Sequence, residues 1–185
     1  NNLALLYKIL GQYGKSAALF SEAKEIFEAA VGKEHFEYGK CCNNLGAVYM
    51  DMGDYEKATP LYEEAKQVWA KVLGKEHPEY AKSCHNLALM RMKSGAYDEA
   101  EALFTEANSI REKALGKEHP DYADGCDNLS TLYMEKTQYE KAISLLVQAK
   151  QIREKILGAS HPDYLQTCIN LANAYRRSGN RDMAG

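Results

Sequence analysis

The sequence predicts an all-α fold, a solenoid of stacked antiparallel helix pairs, and three observations predict it. The first is a period of 42 residues that runs from end to end. Asn2, Asn44, Asn86, Asn128 and Asn170 recur at that interval, each followed by leucine, as do His35, His77, His119 and His161 and again Tyr38, Tyr80, Tyr122 and Tyr164. Laying 75–116 over 117–158 gives 20 identical positions of 42. A fixed period of this length means one supersecondary unit stacked on copies of itself. The second observation is that each period carries two apolar series at three-and-four spacing. The third is that no stretch alternates as a strand would.

The chain divides into a partial repeat at 1–32, full repeats at 33–74, 75–116 and 117–158, and a partial repeat at 159–185, one solenoid segment throughout. Within 75–116, Pro78 suits the first turn of a helix, where its missing N–H is not needed. Tyr80, Ala81, Cys84, Leu87, Ala88 and Met92 then form the buried stripe of a first helix, A. Ser94-Gly95 ends it. A second series, Tyr97, Ala100, Leu103, Phe104, Ala107, Ile110, Ala114 and Leu115, makes helix B, closed by Gly116. Asp98 and Glu99 in its first turn and Arg111 and Lys113 in its last suit the helix dipole. The first residues of the chain fall in a helix A, and Met183-Ala184-Gly185 fall just inside a helix B.

Net charge is -3, from 23 basic and 26 acidic side chains, so no basic stripe points to nucleic acid. No apolar run reaches the roughly 18–20 residues that span a bilayer, so no membrane partner is expected. Cys42, Cys84, Cys126 and Cys168 share the repeat period, with Cys41 beside the first. Equivalent positions in neighbouring repeats lie about 10 Å apart, too far for a disulfide. The column therefore reads as a small buried residue used once per repeat in a reducing compartment, which implies a cytoplasmic location. The histidine in each inter-repeat loop reads as a local structural group whose ring bonds backbone carbonyls and packs on the preceding helix. No Cys-x-x-Cys, phosphate loop, paired-histidine helix or nucleophile elbow is present, so no metal, cofactor or catalytic residue is expected.

Asn-Leu-Gly-x-x-Tyr-x-x-x-Gly-x-Tyr-x-x-Ala at 44–58, continuing to Tyr62 and Ala65, resembles the tetratricopeptide repeat. Small residues stand where the two helices cross, at Gly46, Ala88 and Ala172 in helix A and Ala58, Ala100 and Ala142 in helix B. This longer version is similar to the repeats of kinesin light chains and to long bacterial arrays, some of them fused to caspase-like peptidase or nucleotide-binding domains. The resemblance implies a right-handed superhelix and a protein-interaction role. Two departures, Phe36 for the loop proline and Thr137 for the turn glycine, are expected to loosen a helix start or a turn locally.

In such a solenoid the A helices line the concave face. The period assigns to it Lys40, Asn43, Asn44, Ala47, Met50 and Asp51, then Lys82, His85, Asn86, Leu89, Met92 and Lys93. The next rows are Asp124, Asp127, Asn128, Thr131, Met134 and Glu135, and Gln166, Ile169, Asn170, Asn173, Arg176 and Arg177. A primary amide carries donors and an acceptor and can bond the backbone of an extended peptide. The resemblance implies that role for the periodic asparagine; a ladder of amides that only fixes repeat spacing is the alternative. Lys40, Lys82, His85 and Lys93 make the early rows basic, while Asp124, Asp127 and Glu135 make the third acidic. A bipolar peptide would fit that distribution. The expected function is a scaffold that binds a protein or peptide in the groove. The alternatives are a regulatory segment of a larger signalling enzyme and an array that self-associates end to end through uncapped repeats.

Overall fold

The structure is a computed structural model that describes residues 2–179. The expected start of a last helix B at Met183-Ala184-Gly185 lies outside the described residues. The described residues form nine α-helices and no strand: α1 Asn2–Ile9, α2 Tyr13–Val31, α3 Phe36–Asp51, α4 Tyr55–Val72, α5 Pro78–Lys93, α6 Tyr97–Leu115, α7 Pro120–Glu135, α8 Tyr139–Leu157 and α9 Pro162–Ser178. Odd-numbered helices are the A helices and even-numbered ones the B helices. The three full repeats hold α3/α4, α5/α6 and α7/α8. The described residues form two compact units that divide between Met90 and Arg91.

In the first unit α2 packs on α1 and α3, and α3 packs on α4. Ala4, Ala17, Phe20, Leu45 and Val48 form one core cluster, with Tyr13, Leu19, Tyr49 and Leu61 against it. The Ser16 hydroxyl donates to the Ala4 carbonyl at 2.8 Å, fastening α2 to α1. Gly46 is small because it must be: a Cβ there would lie 3.0–3.2 Å from the ring of Tyr62. In the second unit α7 packs on α6 and α8, and α9 on α8. Tyr122, Ala123, Cys126 and Ala149 form a core cluster there, with Leu145 and Ile152 against it.

Each A helix after the first starts on its loop histidine, and the direction of the bond corrects the expectation. Nδ1 of His35, His77, His119 and His161 accepts the backbone N–H two residues on, at 3.2, 3.1, 3.1 and 3.2 Å. The ring is an N-cap, satisfying a helix donor instead of donating to carbonyls. Phe36 starts α3 at the same place as the prolines, its ring 5.0 Å from that of Trp69, so this helix start is not loosened. In the A-to-B turn, Gly11, Gly53, Gly95 and Gly179 have φ of 69–87°, and Thr137 at the matching position adopts φ 57°. The turn keeps its form, and the departure shows up as a left-handed conformation that a β-branched residue adopts at a cost.

The buried stripe also differs in detail from the expected one. Val48, Met90, Leu132 and Ala174, one per repeat, are buried to within 4%, and Met90 takes the inward place expected of Met92. Ala114 is exposed. Cys41, Cys42, Cys84 and Cys126 are buried, Cys168 is half-buried, and all five are free thiols. Burial pushes the thiol of Cys42 up to about 12 and that of Cys126 to about 11, which keeps both protonated and chemically quiet.

Candidate binding surface on the A helices

The 42-residue period makes the packing residues recur and leaves the remaining face of each A helix free to differ. In the first unit that face is partly spent on the fold itself. Asn43 is 4% exposed, so it is a packing residue and not the groove-lining one expected. Its Oδ1 accepts Nδ2 of Asn86 at 3.1 Å, a rung between α3 and α5. Lys40 lies 3.8 Å from Glu37, and Asn44 and His85 are half-buried. Lys82 is exposed and Leu89 half-buried. Met50 faces Tyr62, whose hydroxyl donates to its sulfur at 3.9 Å.

In the second unit two of the three acids of the third row share one cation. Arg153 of α8 donates through Nη2 to Asp124 at 2.6 Å and through Nη1 to Asp127 and to the hydroxyl of Thr167. Nη1 also lies 3.2 Å from the Asp163 carbonyl, and Thr167 bonds Asp127 at 3.2 Å. Burial pushes the Asp127 carboxyl above its ordinary value, with the Arg153 charge opposing. Asp124 and Asp127 therefore tie α7, α8 and α9 together; Asp127 is half-buried, while Asp124 and Glu135 are exposed. At the end of α5, Met92 is half-buried and Lys93 exposed. The amide of Asn128 donates to the Asp124 carbonyl of its own helix at 2.8 Å, and Asn170 accepts from Gln166 at 3.1 Å.

Between α7 and α9 the face opens into a cleft of about 300 Å³ that brings Thr131, Asn170, Asn173, Arg176 and Arg177 onto one surface. Ser130, Met134 and Leu146 complete it, with Leu146 fully buried as its floor. Asn173 accepts from Arg176 at 3.2 Å, and the Arg177 guanidinium lies over the Tyr139 ring at 5.4 Å. Both arginines are held by light contacts on an exposed rim. Such a cleft offers an apolar floor, two cations and several amide and hydroxyl groups, which suits an extended chain better than a reacting small molecule.

Sequence reasoning missed two features. Arg153 has a periodic signal, with Arg111 one period before it and Trp69 two, but its acid partners have none, because Lys82 and His85 stand where Asp124 and Asp127 do. The second is a recurring cation over a ring: Lys24 over Tyr38, Lys66 over Tyr80 and Lys150 over Tyr164, at 5.4, 5.4 and 5.9 Å. The tyrosine period was visible, and its lysine partner 14 residues earlier was the signal to find it. Asn108 replaces that lysine in one repeat, against a glycine, Gly125, where any Cβ would strike its Oδ1 at 1.6 Å.

Among the described residues no group of three or more His, Cys, Asp or Glu is placed to hold a metal, and no helix is long and apolar enough to cross a membrane. Tetratricopeptide repeat family models match residues 1–37, 40–107 and 126–184. Two solved structures of kinesin light chain-like, nearly identical TPR-like repeats from Podosopora anserina, one of them a glutamine-to-methionine variant, are similar over 99% of this chain. Their identities are 32% and 30%, their TM-scores 0.84 and 0.83, and the match covers 86% and 87% of those chains. BtubC (BKLC) from P. vanneervenii is similar at 25% identity and TM-score 0.87, over 98% of this chain and 72% of its own. No curated protein matches significantly.

Proposed function

The chain belongs to the tetratricopeptide repeat family, and from that premise we propose that it is a scaffold binding an extended segment of a partner protein on the exposed faces of its A helices. The family commonly serves protein–protein interaction. The observation that carries the finer reading is the α7/α9 cleft, in which Thr131, Asn173, Arg176 and Arg177 share one surface over an apolar floor. These residues do not follow the repeat, and none of them is buried. Side chains kept exposed and non-repeating in a fold built on repetition are where partner choice can reside. The two arginines favour a segment with acidic side chains at this end, which would gain register and association rate from them.

A pull-down with the whole protein and an Asn173→Ala/Arg176→Ala variant tests this, after circular dichroism has shown equal helicity. Partners captured by the wild type and lost by the variant support the cleft. Equal recovery from both removes it. The same capture reports on the alternative role as a regulatory segment, for which the partner would be a catalytic domain.

A second reading, association through the repeat ends, has its own observation. On α1 and in the turn after it, Leu3, Leu6 and Leu10 are 53%, 50% and 58% exposed, and on α9, Leu165 and Ile169 are 49% and 55% exposed. Sedimentation over a hundredfold concentration range separates the readings: self-association gives a rising mass that Leu165→Glu/Ile169→Glu abolishes.

A further inference from the structure

The internal repeat allows one part of the chain to serve as the reference for another. Residues 36, 68, 69, 72, 73 and 77 stand two periods before 120, 152, 153, 156, 157 and 161. In the earlier set Phe36 lays its ring against fully buried Trp69, with centroids 5.0 Å apart and planes inclined by 52°. In the later set both aromatic rings are gone, as they are in the repeat between: Pro78 and Pro120 stand for Phe36, and Arg111 and Arg153 for Trp69. A pocket of about 220 Å³ lies there, lined by Pro120, Ile152, Ile156 and Leu157 together with Arg153 and His161. The walls stay apolar, and Ile156 is 43% exposed.

We propose that this pocket takes an aromatic side chain of a partner polypeptide, seated against the Arg153 guanidinium as Phe36 is seated against Trp69. Three features argue for that occupant. Arg153 is held by Asp124, Asp127, Thr167 and the Asp163 carbonyl, so its plane is set before binding and stacking an aromatic ring on it orders no new side chain. A cation beneath a ring adds attraction beyond the apolar contact of the walls. An anionic occupant is disfavoured, because the guanidinium charge is already met by two carboxylates and Asp124 and Asp163 also line the pocket. Those acids favour a lysine or arginine beside the aromatic residue in the partner. The pocket shares no lining residue with the α7/α9 cleft, so it stands or falls apart from the function proposed above.

The test is a titration of the whole ¹⁵N-labelled protein with N-acetyl-phenylalaninamide, and with N-acetyl-leucinamide as the aliphatic probe. The expected result is saturable shifts centred on residues 152–161 with the phenylalanine amide, and binding about tenfold weaker or worse with the leucine amide. Pro120→Phe supplies the ring from within. Phe36 shows that phenylalanine is accepted at this helix position, and the substitution leaves the Arg153 ion cluster untouched. With helicity unchanged, that variant is expected to lose about tenfold or more of the phenylalanine-amide affinity. Absence of shifts at 152–161, equal binding of the leucine amide, or equal binding by Pro120→Phe would each overturn the proposal. Retained amide binding in the Asn173→Ala/Arg176→Ala variant is expected whatever becomes of the cleft.

Discussion

Thr137 holds a left-handed backbone at φ 57° where the other A-to-B turns use glycine. The side chain is exposed, so glycine there gives up no buried contact and removes the steric cost of a β-branched residue. Thr137→Gly should raise stability by about 1 kcal/mol, read as a higher urea midpoint at unchanged m-value. The histidine caps make the opposite case. His119→Ala deprives the Asp121 N–H of its acceptor and should cost about 1 kcal/mol, while His119→Asn, a side chain that caps by its own oxygen, should cost far less. Glu64 is the residue with a pH signature. It accepts from the Tyr38 hydroxyl at 2.5 Å and lies 3.0 Å from the Lys24 ammonium. Burial works against its charge, but these bonds and the lysine charge hold its carboxyl below the ordinary 4.5. Its contribution is therefore fully present above the unfolded value and lost as pH falls through the lower folded one. Glu64→Gln should flatten the acid limb of a stability–pH profile below pH 4.5, by under about 1 kcal/mol because the group is partly solvated.

Among the elements, α9 depends on the side chain that the sequence disclosed least. The helices, their turns and the buried column at Leu45, Leu87 and Leu129 were legible because each is written once per period. Arg153 reaches acids on α7 and a threonine on α9 that lie 26–29 residues before it and 14 after it. The period repeats the arginine, as Arg111 and Arg153, but not its partners, since Lys82 and His85 match Asp124 and Asp127. The same limit hid the fate of Asp124 and Asp127, which sequence spacing places on the groove and Arg153 draws into the fold. Another pair shows how the repeat conceals contacts. Tyr49 with Lys57 and Tyr133 with Lys141 are cation–ring pairs at 5.3 and 4.9 Å, and at the matching positions Arg91 and Glu99 form an ion pair at 3.1 Å. The contact is kept while both residue types change. For Arg153, truncation to alanine leaves Asp127 buried without its counter-charge and should cost about 3 kcal/mol. Hydrogen exchange should then show α9 opening ahead of α7 and α8. An Asp127→Leu/Arg153→Met variant should recover most of the loss, since replacing both partners of a buried pair is tolerated better than removing one.

At the scale of the molecule, repetition divides the residues into two classes. Those that recur build the core: the small residues at the helix crossings, the buried cysteines, the tyrosines under their lysines. Among those that do not recur are the residues on the exposed A-helix face, and their parts are uneven. Asn43 and Asn86 spend their amides on each other, whereas Thr131, Asn173, Arg176 and Arg177 border an open cleft. The central claim is that partners dock on this A-helix face. The most direct measurement is photo-crosslinking with benzoylphenylalanine placed singly at exposed Thr131 on α7 or at exposed Ser144 on α8. Adducts with a discrete partner from position 131 and none from 144 are the predicted result. Adducts from 144 alone, or equally from both, would contradict it and place the interaction on the B helices.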